Sequence, residues 1–155
     1  MSETTVAAGT AAPLADGVGE SSLALLLKRS EHALRQRFQA TLDAEALLLE
    51  QWQIMAVLLA QPGMRMSELA DAAVVPAATL TRHMDKLVER ALVVRRIDPD
   101  DKRRVVAALS PMGKRLAVRL HEVEHAIEVS ISEGLGGERF AALARELRLL
   151  PHLFD

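Results

Sequence analysis

Residues 121–125 read HEVEH, an H-E-x-x-H pattern. On a helix, His121 and His125 fall one turn apart, where two imidazoles can share a zinc ion, and Glu122 is placed to act as general base. Glu146 could complete that set and make a zinc hydrolase. His121, Glu124 and His125 would instead make a regulatory or incidental metal site, since i,i+4 histidine pairs bind metals readily when a third ligand is near. A second stretch carries different chemistry. In PAATLTRHMDKLVERA (76–91), Thr79, Arg82, His83, Lys86 and Arg90 recur at intervals of 3, 1, 3 and 4. Hydroxyls, an imidazole and cations on one helical stripe are the groups that reach phosphates and base edges in a major groove. Arg82 suits a bidentate contact to guanine; Lys86 and Arg90 suit phosphate. Asp85 and Glu89 lie beside the stripe and limit its positive charge. A solvated helix face can look the same, so the stripe alone does not decide.

The elements around these side chains must hold them in place. Leu80, Met84, Leu87 and Ala91, at intervals of 4, 3 and 4, form an apolar face expected to pack inward. Upstream, Leu23, Leu26, Leu27, Leu34, Phe38 and Leu42 recur at mostly helical intervals, predicting a helix to about Asp43 with Ser21 or Ser22 as N-cap. LEQWQIMAVLLA (49–60) is a second helix, ended by Gln-Pro-Gly. Ser67 can cap a short third helix, SELADAA, with Glu68 near the positive end of its dipole. Pro76 suits the first position of the helix that carries Arg82. Two β-branched runs follow, LVVRRI (92–97) and RRVVAAL (103–109), and the turn residues of DPDDK between them predict a hairpin. Its tip projects Lys102, Arg103 and Arg104. A thin ribbon ending in Arg can enter the minor groove of A·T-rich DNA. Asp101 is expected to hydrogen-bond a neighbouring Arg and fix its direction. Ser110 and Pro111 start a further helix to about Glu133. Leu116, Leu120, Val123, Ile127 and Ile131 form one side of it, with Val118 and Val129 on another. His121 and His125 fall roughly opposite the longer stripe, exposed or facing another subunit. After GLGG, a last helix covers about 138–149.

This order predicts a mainly α chain with a small β-hairpin wing, a winged helix-turn-helix. Residues 1–20 lack apolar periodicity and are expected to be a disordered tail, leaving 21–155 as a single domain. The 155 residues suit one domain or one subunit that shares a core with a partner. Aromatics are only 3%, so Ala, Leu and Val must carry the core. The absence of cysteine excludes disulfides, thiolate catalysis and cysteine zinc sites, and fits a reducing cytosol. No apolar run approaches membrane-spanning length, no signal peptide is evident, and a cytoplasmic location is expected. The net charge of −2 conceals an asymmetry: residues 76–115 hold ten Lys/Arg against five acids, +5, leaving −7 elsewhere. A basic middle between acidic flanks points to a polyanion-binding surface.

The run 49–116 resembles the MarR family of winged helix-turn-helix transcriptional regulators. The residues that carry the likeness are QW opening the second helix, SELAD, TLTRHMDKLVERALV, the wing DPDDKR and ALSPMGKRL after it. The resemblance implies a homodimeric DNA-binding repressor of a nearby gene, not an enzyme, released by a small aromatic or anionic effector and needing no cofactor. It implies a DNA-binding lobe over about 47–110 and dimerisation helices over about 21–45 and 111–151. Two recognition helices would then read a palindromic operator in double-stranded DNA. Thr79, Thr81 and Arg82 fall on the recognition helix, and Asp101 and Arg103 on the D-x-R of the wing. With the stripe, the helix starts and the hairpin tip, the expected DNA-binding set is Ser67, Pro76, Ala77, Thr79, Thr81, Arg82, His83, Lys86, Asp101, Lys102, Arg103 and Arg104. His32, Arg35 and Trp52 are candidates for lining an effector site, although Trp52 equally fits a core position. The chain departs from the family pattern at Val75, where a capping Ser or Thr is usual, at Ala91, often Gly, and at Asp100, often Arg. A metal-responsive regulator using His121 and His125 is the alternative reading.

Overall fold

A computed structural model describes residues 22–154. The expected tail, and Ser21 as a cap, lie outside the described residues. The chain falls into two compact units, one ending at Ala33 and one beginning at Leu34. The first contains the opening turns of α1 (Leu23–Ala44). Ser22 sits just before them, its carbonyl accepting from the Leu26 N–H at 2.9 Å. Leu23 and Leu26 are exposed in this unit.

The second unit continues α1 and adds α2 (Leu49–Ala60), β1 (Met64–Arg65), α3 (Met66–Ala72) and α4 (Ala77–Glu89). It closes with β2 (Val93–Ile97), β3 (Val105–Leu109), α5 (Pro111–Leu135), α6 (Gly137–Leu149) and a 3₁₀ turn, Leu150–Leu153. The three strands form one antiparallel sheet in the order β1-β3-β2. The expected hairpin is β2–β3, with Val93 opposite Leu109 and Ile97 opposite Val105. β1 was not expected. It has only two residues, Met64 opposite Ala107 and Arg65 opposite Val106, too few for any alternation to register in the sequence.

The helix starts use a device that the sequence reading placed elsewhere. Ser67 does not cap α3. The helix begins at Met66, and the Glu68 carboxylate reaches back to accept the Arg65 N–H at 3.1 Å. Gln51 does the same for the Leu48 N–H at 3.0 Å. Each third-position side chain satisfies a donor that the helix leaves orphaned, so no capping hydroxyl is needed. Pro76 is the N-cap residue of α4 and not its first helical position, with φ −55° and ψ 141°. Its fixed φ suits either place. At the start of α5 the expected pair holds. Ser110 Oγ accepts from the Gly113 N–H at 2.9 Å and donates to the Ala91 carbonyl at 2.6 Å, and Pro111 takes the first turn.

The core joins these elements. Trp52, Ile54, Met55 and Leu58 from α2 pack with Leu69, Leu80, Met84, Leu87 and the first turns of α5, Leu116 and Leu120. Burying each such side chain is worth roughly 1.5–3 kcal/mol. Trp52 is 1% exposed, with the Phe38 ring edge-on at 5.8 Å. Ala91, expected on the inward face of α4, is exposed. The helix has ended by then, and Ala91 turns the chain at φ 54°. Glycine would adopt that left-handed conformation without steric cost.

Candidate nucleic-acid interface

α4 presents two faces. Leu80, His83, Met84 and Leu87 are buried, and Thr81, Arg82, Asp85, Lys86 and Glu89 are exposed. His83 was expected on the polar stripe. It is 5% exposed, and its Nδ1 has no hydrogen-bond partner among the described residues. Burial pushes its pKa below the ordinary value of 6.5; Arg82 and Lys86 push the same way and Glu50 opposes them. A buried, neutral imidazole does not reach a groove, so His83 leaves the expected contact set. Thr79 is half-buried. The Thr81 hydroxyl donates to the Ala77 carbonyl at 3.1 Å, which leaves its oxygen lone pairs available outward. Arg82 and Lys86 form no ion pair among the described residues.

Arg90 ends the stripe differently. Its guanidinium donates to the Ala46 and Glu45 carbonyls at 2.7 and 2.8 Å, so it ties the end of α4 to the loop between α1 and α2. The role expected for it, meeting phosphate, is replaced by a structural one. Asp85 is also engaged: Arg95 on β2 pairs with it at 2.7 Å, linking the wing to α4. Neither contact has a local sequence signal, because the partners are 10 or more positions apart.

The wing tip explains its own acidic residues. The Asp98 carboxylate accepts the Asp100 N–H at 2.9 Å, and the Asp101 carboxylate accepts the Arg103 N–H at 3.1 Å. The other Asp101 oxygen holds Arg104 Nε at 2.8 Å. Asp101 therefore orients an arginine, as expected, and that arginine is Arg104. Lys102 and Arg103 stay exposed without an ion pair among the described residues. Arg96 on β2 is exposed in the same way, a cation the sequence reading had not singled out. Ser67 is exposed in the first turn of α3, and Pro76 and Ala77 are exposed at the start of α4.

The remaining candidates lie elsewhere. His32 is exposed on the part of α1 in the first unit. Arg35 approaches Glu50 at 3.8 Å. Trp52 occupies the core, its indole N–H donating to Glu124 at 3.1 Å. That bond engages one of the three residues of the metal reading. His121 and His125 are exposed, with rings stacked 6.5 Å apart. Among the described residues no group of three or more His, Asp or Glu side chains converges on a metal position.

Residues 47–105, from two residues before α2 to the start of β3, match the family model described as MarR family. The transcriptional regulator HosA of Escherichia coli O111:H- is 28% identical over 130 residues, covering 79% of this chain and 96% of that protein. Over residues 47–105 the chain is similar to the MarR family. The MarR-family regulator SPO1453 from Silicibacter pomeroyi DSS-3 has the same fold, with a TM-score of 0.80 and 26% identity over 90% of this chain and 100% of that one. NadR, solved with 4-hydroxyphenylacetate, gives a TM-score of 0.78 and 26% identity over 88% of this chain and 97% of that one. The chain is thus a winged helix-turn-helix transcriptional regulator. HosA and SPO1453 are both named as transcriptional regulators. No described helix is long and apolar enough to cross a membrane.

Proposed function

We propose that this regulator is a cytoplasmic homodimeric repressor that binds a palindromic operator in double-stranded DNA. The carrying observation is the set of uncommitted cations, Arg82 and Lys86 on α4 with Lys102 and Arg103 on a wing tip folded by Asp98 and Asp101. Thr79, Thr81, Ser67, Pro76 and Ala77 flank them and supply shorter contacts. The lobe spans about 47–110, with 21–45 and 111–151 as dimerisation segments. Support for a dimer comes from apolar side chains left in solvent: Val129 on α5, Leu143, Leu147 and Leu149 on α6, then Leu153 and Phe154 at 74% and 84% exposure. A monomer rarely leaves so many large apolar groups along consecutive elements.

Release by a small aromatic or anionic effector is part of the same reading. NadR binds 4-hydroxyphenylacetate, and Arg35 is the group that would meet such a ligand here. Trp52 would contribute as a wall and not as an exposed contact.

Fluorescence anisotropy on the DNA flanking the regulator's own gene tests the proposal. Arg82→Ala is expected to lose about 1–3 kcal/mol at one base position, and Arg103→Ala to weaken binding and flatten its salt dependence. Asp101→Ala should weaken binding by freeing Arg104. Salt-insensitive binding, or none to any such fragment, would sink the reading.

A further inference from the structure

The exposed face of α4 changes reach along its length. Two rows run down it at helical intervals of four: Ala77, Thr81 and Asp85, and Ala78, Arg82 and Lys86. Both rows begin in a bare methyl group and end in a charged side chain. Pro76, also exposed, precedes them. Thr81 belongs to the short end as well. Its hydroxyl donates back to the Ala77 carbonyl at 3.1 Å, so its proton is taken within the helix. Thr79 is half-buried and Leu80 buried. From Pro76 to Thr81, the exposed side chains therefore hold apolar surface and one acceptor oxygen, and no free donor.

The N-terminal residues of a recognition helix are the ones that meet base edges. Short side chains there let the backbone come close, while Arg82 and Lys86 still reach outward from later turns. The bases differ in what they show in the major groove. Guanine presents two acceptors, adenine an acceptor and an amino group, and cytosine an amino group. Set against alanine, each of these leaves polar atoms dry and without partners, which costs free energy. Thymine alone presents a C5 methyl group, so it alone meets a methyl with a methyl and buries apolar surface on both sides.

We propose that Ala77 and Ala78, with Thr81 beside them, select thymine by its C5 methyl group in each half-site, next to the base that Arg82 reads. This rests on the operator reading and adds the base that its short contacts choose. Arg82 supplies discrimination by hydrogen bonding; the start of α4 supplies it by shape and apolar contact.

The probe is a duplex enriched by the full chain from a random pool. Fluorescence anisotropy compares it with the same duplex carrying deoxyuridine for thymidine, one symmetric pair of positions at a time. Deoxyuridine keeps the base pairing and lacks only the C5 methyl. At one or two such pairs of positions, binding is expected to weaken about fourfold for each half-site. Ala77→Gly or Ala78→Gly should abolish that penalty at its own position. Arg82→Ala should weaken binding to the parent duplex and leave the penalty in place. The readout is a ratio between two duplexes on one protein, so a small stability loss in a glycine variant cancels; circular dichroism melts check that each variant folds. Enrichment of no sequence at all would end the operator reading and this inference with it. Equal binding with uracil at every position, or a penalty that survives both glycine variants, would overturn this inference alone.

Discussion

His83 sits among charged neighbours in the sequence and among apolar ones in the fold. The signal for its burial was present: Leu80, His83, Met84 and Leu87 recur at 3, 1 and 3, a tighter inward stripe than the one that ends in Ala91. Charge pattern had outweighed period. The consequence is a pH dependence with a definite sign. The folded imidazole has a pKa below 6.5, while the unfolded chain keeps the ordinary value, so the unfolded state binds the proton first. Stability from this residue is complete above pH 6.5 and is lost as the pH falls toward the lowered value. Urea midpoints at pH 7.5 and 5.5 should therefore differ more for the parent than for His83→Leu. Equal differences would show that the histidine is not buried neutral. Val74 makes a second residue-scale case. It is β-branched, 88% exposed and held at φ 53° in the turn before α4. Left-handed backbone costs an L-residue roughly 1–2 kcal/mol. Val74→Gly relieves that strain while adding unfolded-state freedom, so a net gain of about 1 kcal/mol is expected in denaturant titration.

At the scale of elements, periodicity and punctuation found every α-helix of the described residues, though not the 3₁₀ turn Leu150–Leu153. The hairpin was legible from β-branched runs around Asp and Pro. Cap positions were less legible: Arg65 and Leu48 look like poor caps, and only the third-position Glu68 and Gln51 reveal the boxes. The two-residue β1 was illegible because it is defined by its partner and not by its own pattern. The junction of β2 with α5 shows how close two elements can come. A Cβ on Gly113 would collide with the carbonyl oxygen of Leu92. Gly113→Ala must push α5 away from the base of the wing, at roughly 1–3 kcal/mol for overpacking. A thermal melt should drop accordingly, whereas Gly134→Ala, with open space around it, should not destabilise α5.

At the scale of the whole molecule, what could not be read in advance is what closes long loops. The Arg90 bonds span 44 and 45 positions, and the Trp52–Glu124 bond spans 72. No local pattern encodes them, yet they decide that Arg90 is an anchor and Trp52 a core residue. The Arg90 anchor also has a kinetic meaning. Contacts across long sequence separations must wait for loop closure, whereas helix turns form early. The grip of Arg90 on the loop after α1 should therefore form after the folding barrier has been crossed. Stopped-flow measurements on Arg90→Gln are expected to show unfolding accelerated several-fold, with the refolding limb almost unmoved. A slowed refolding limb would instead place Arg90 in the nucleus. On the expected outcome, one arginine at the end of α4 governs how long the folded state lasts once made, and has little say in how quickly it forms.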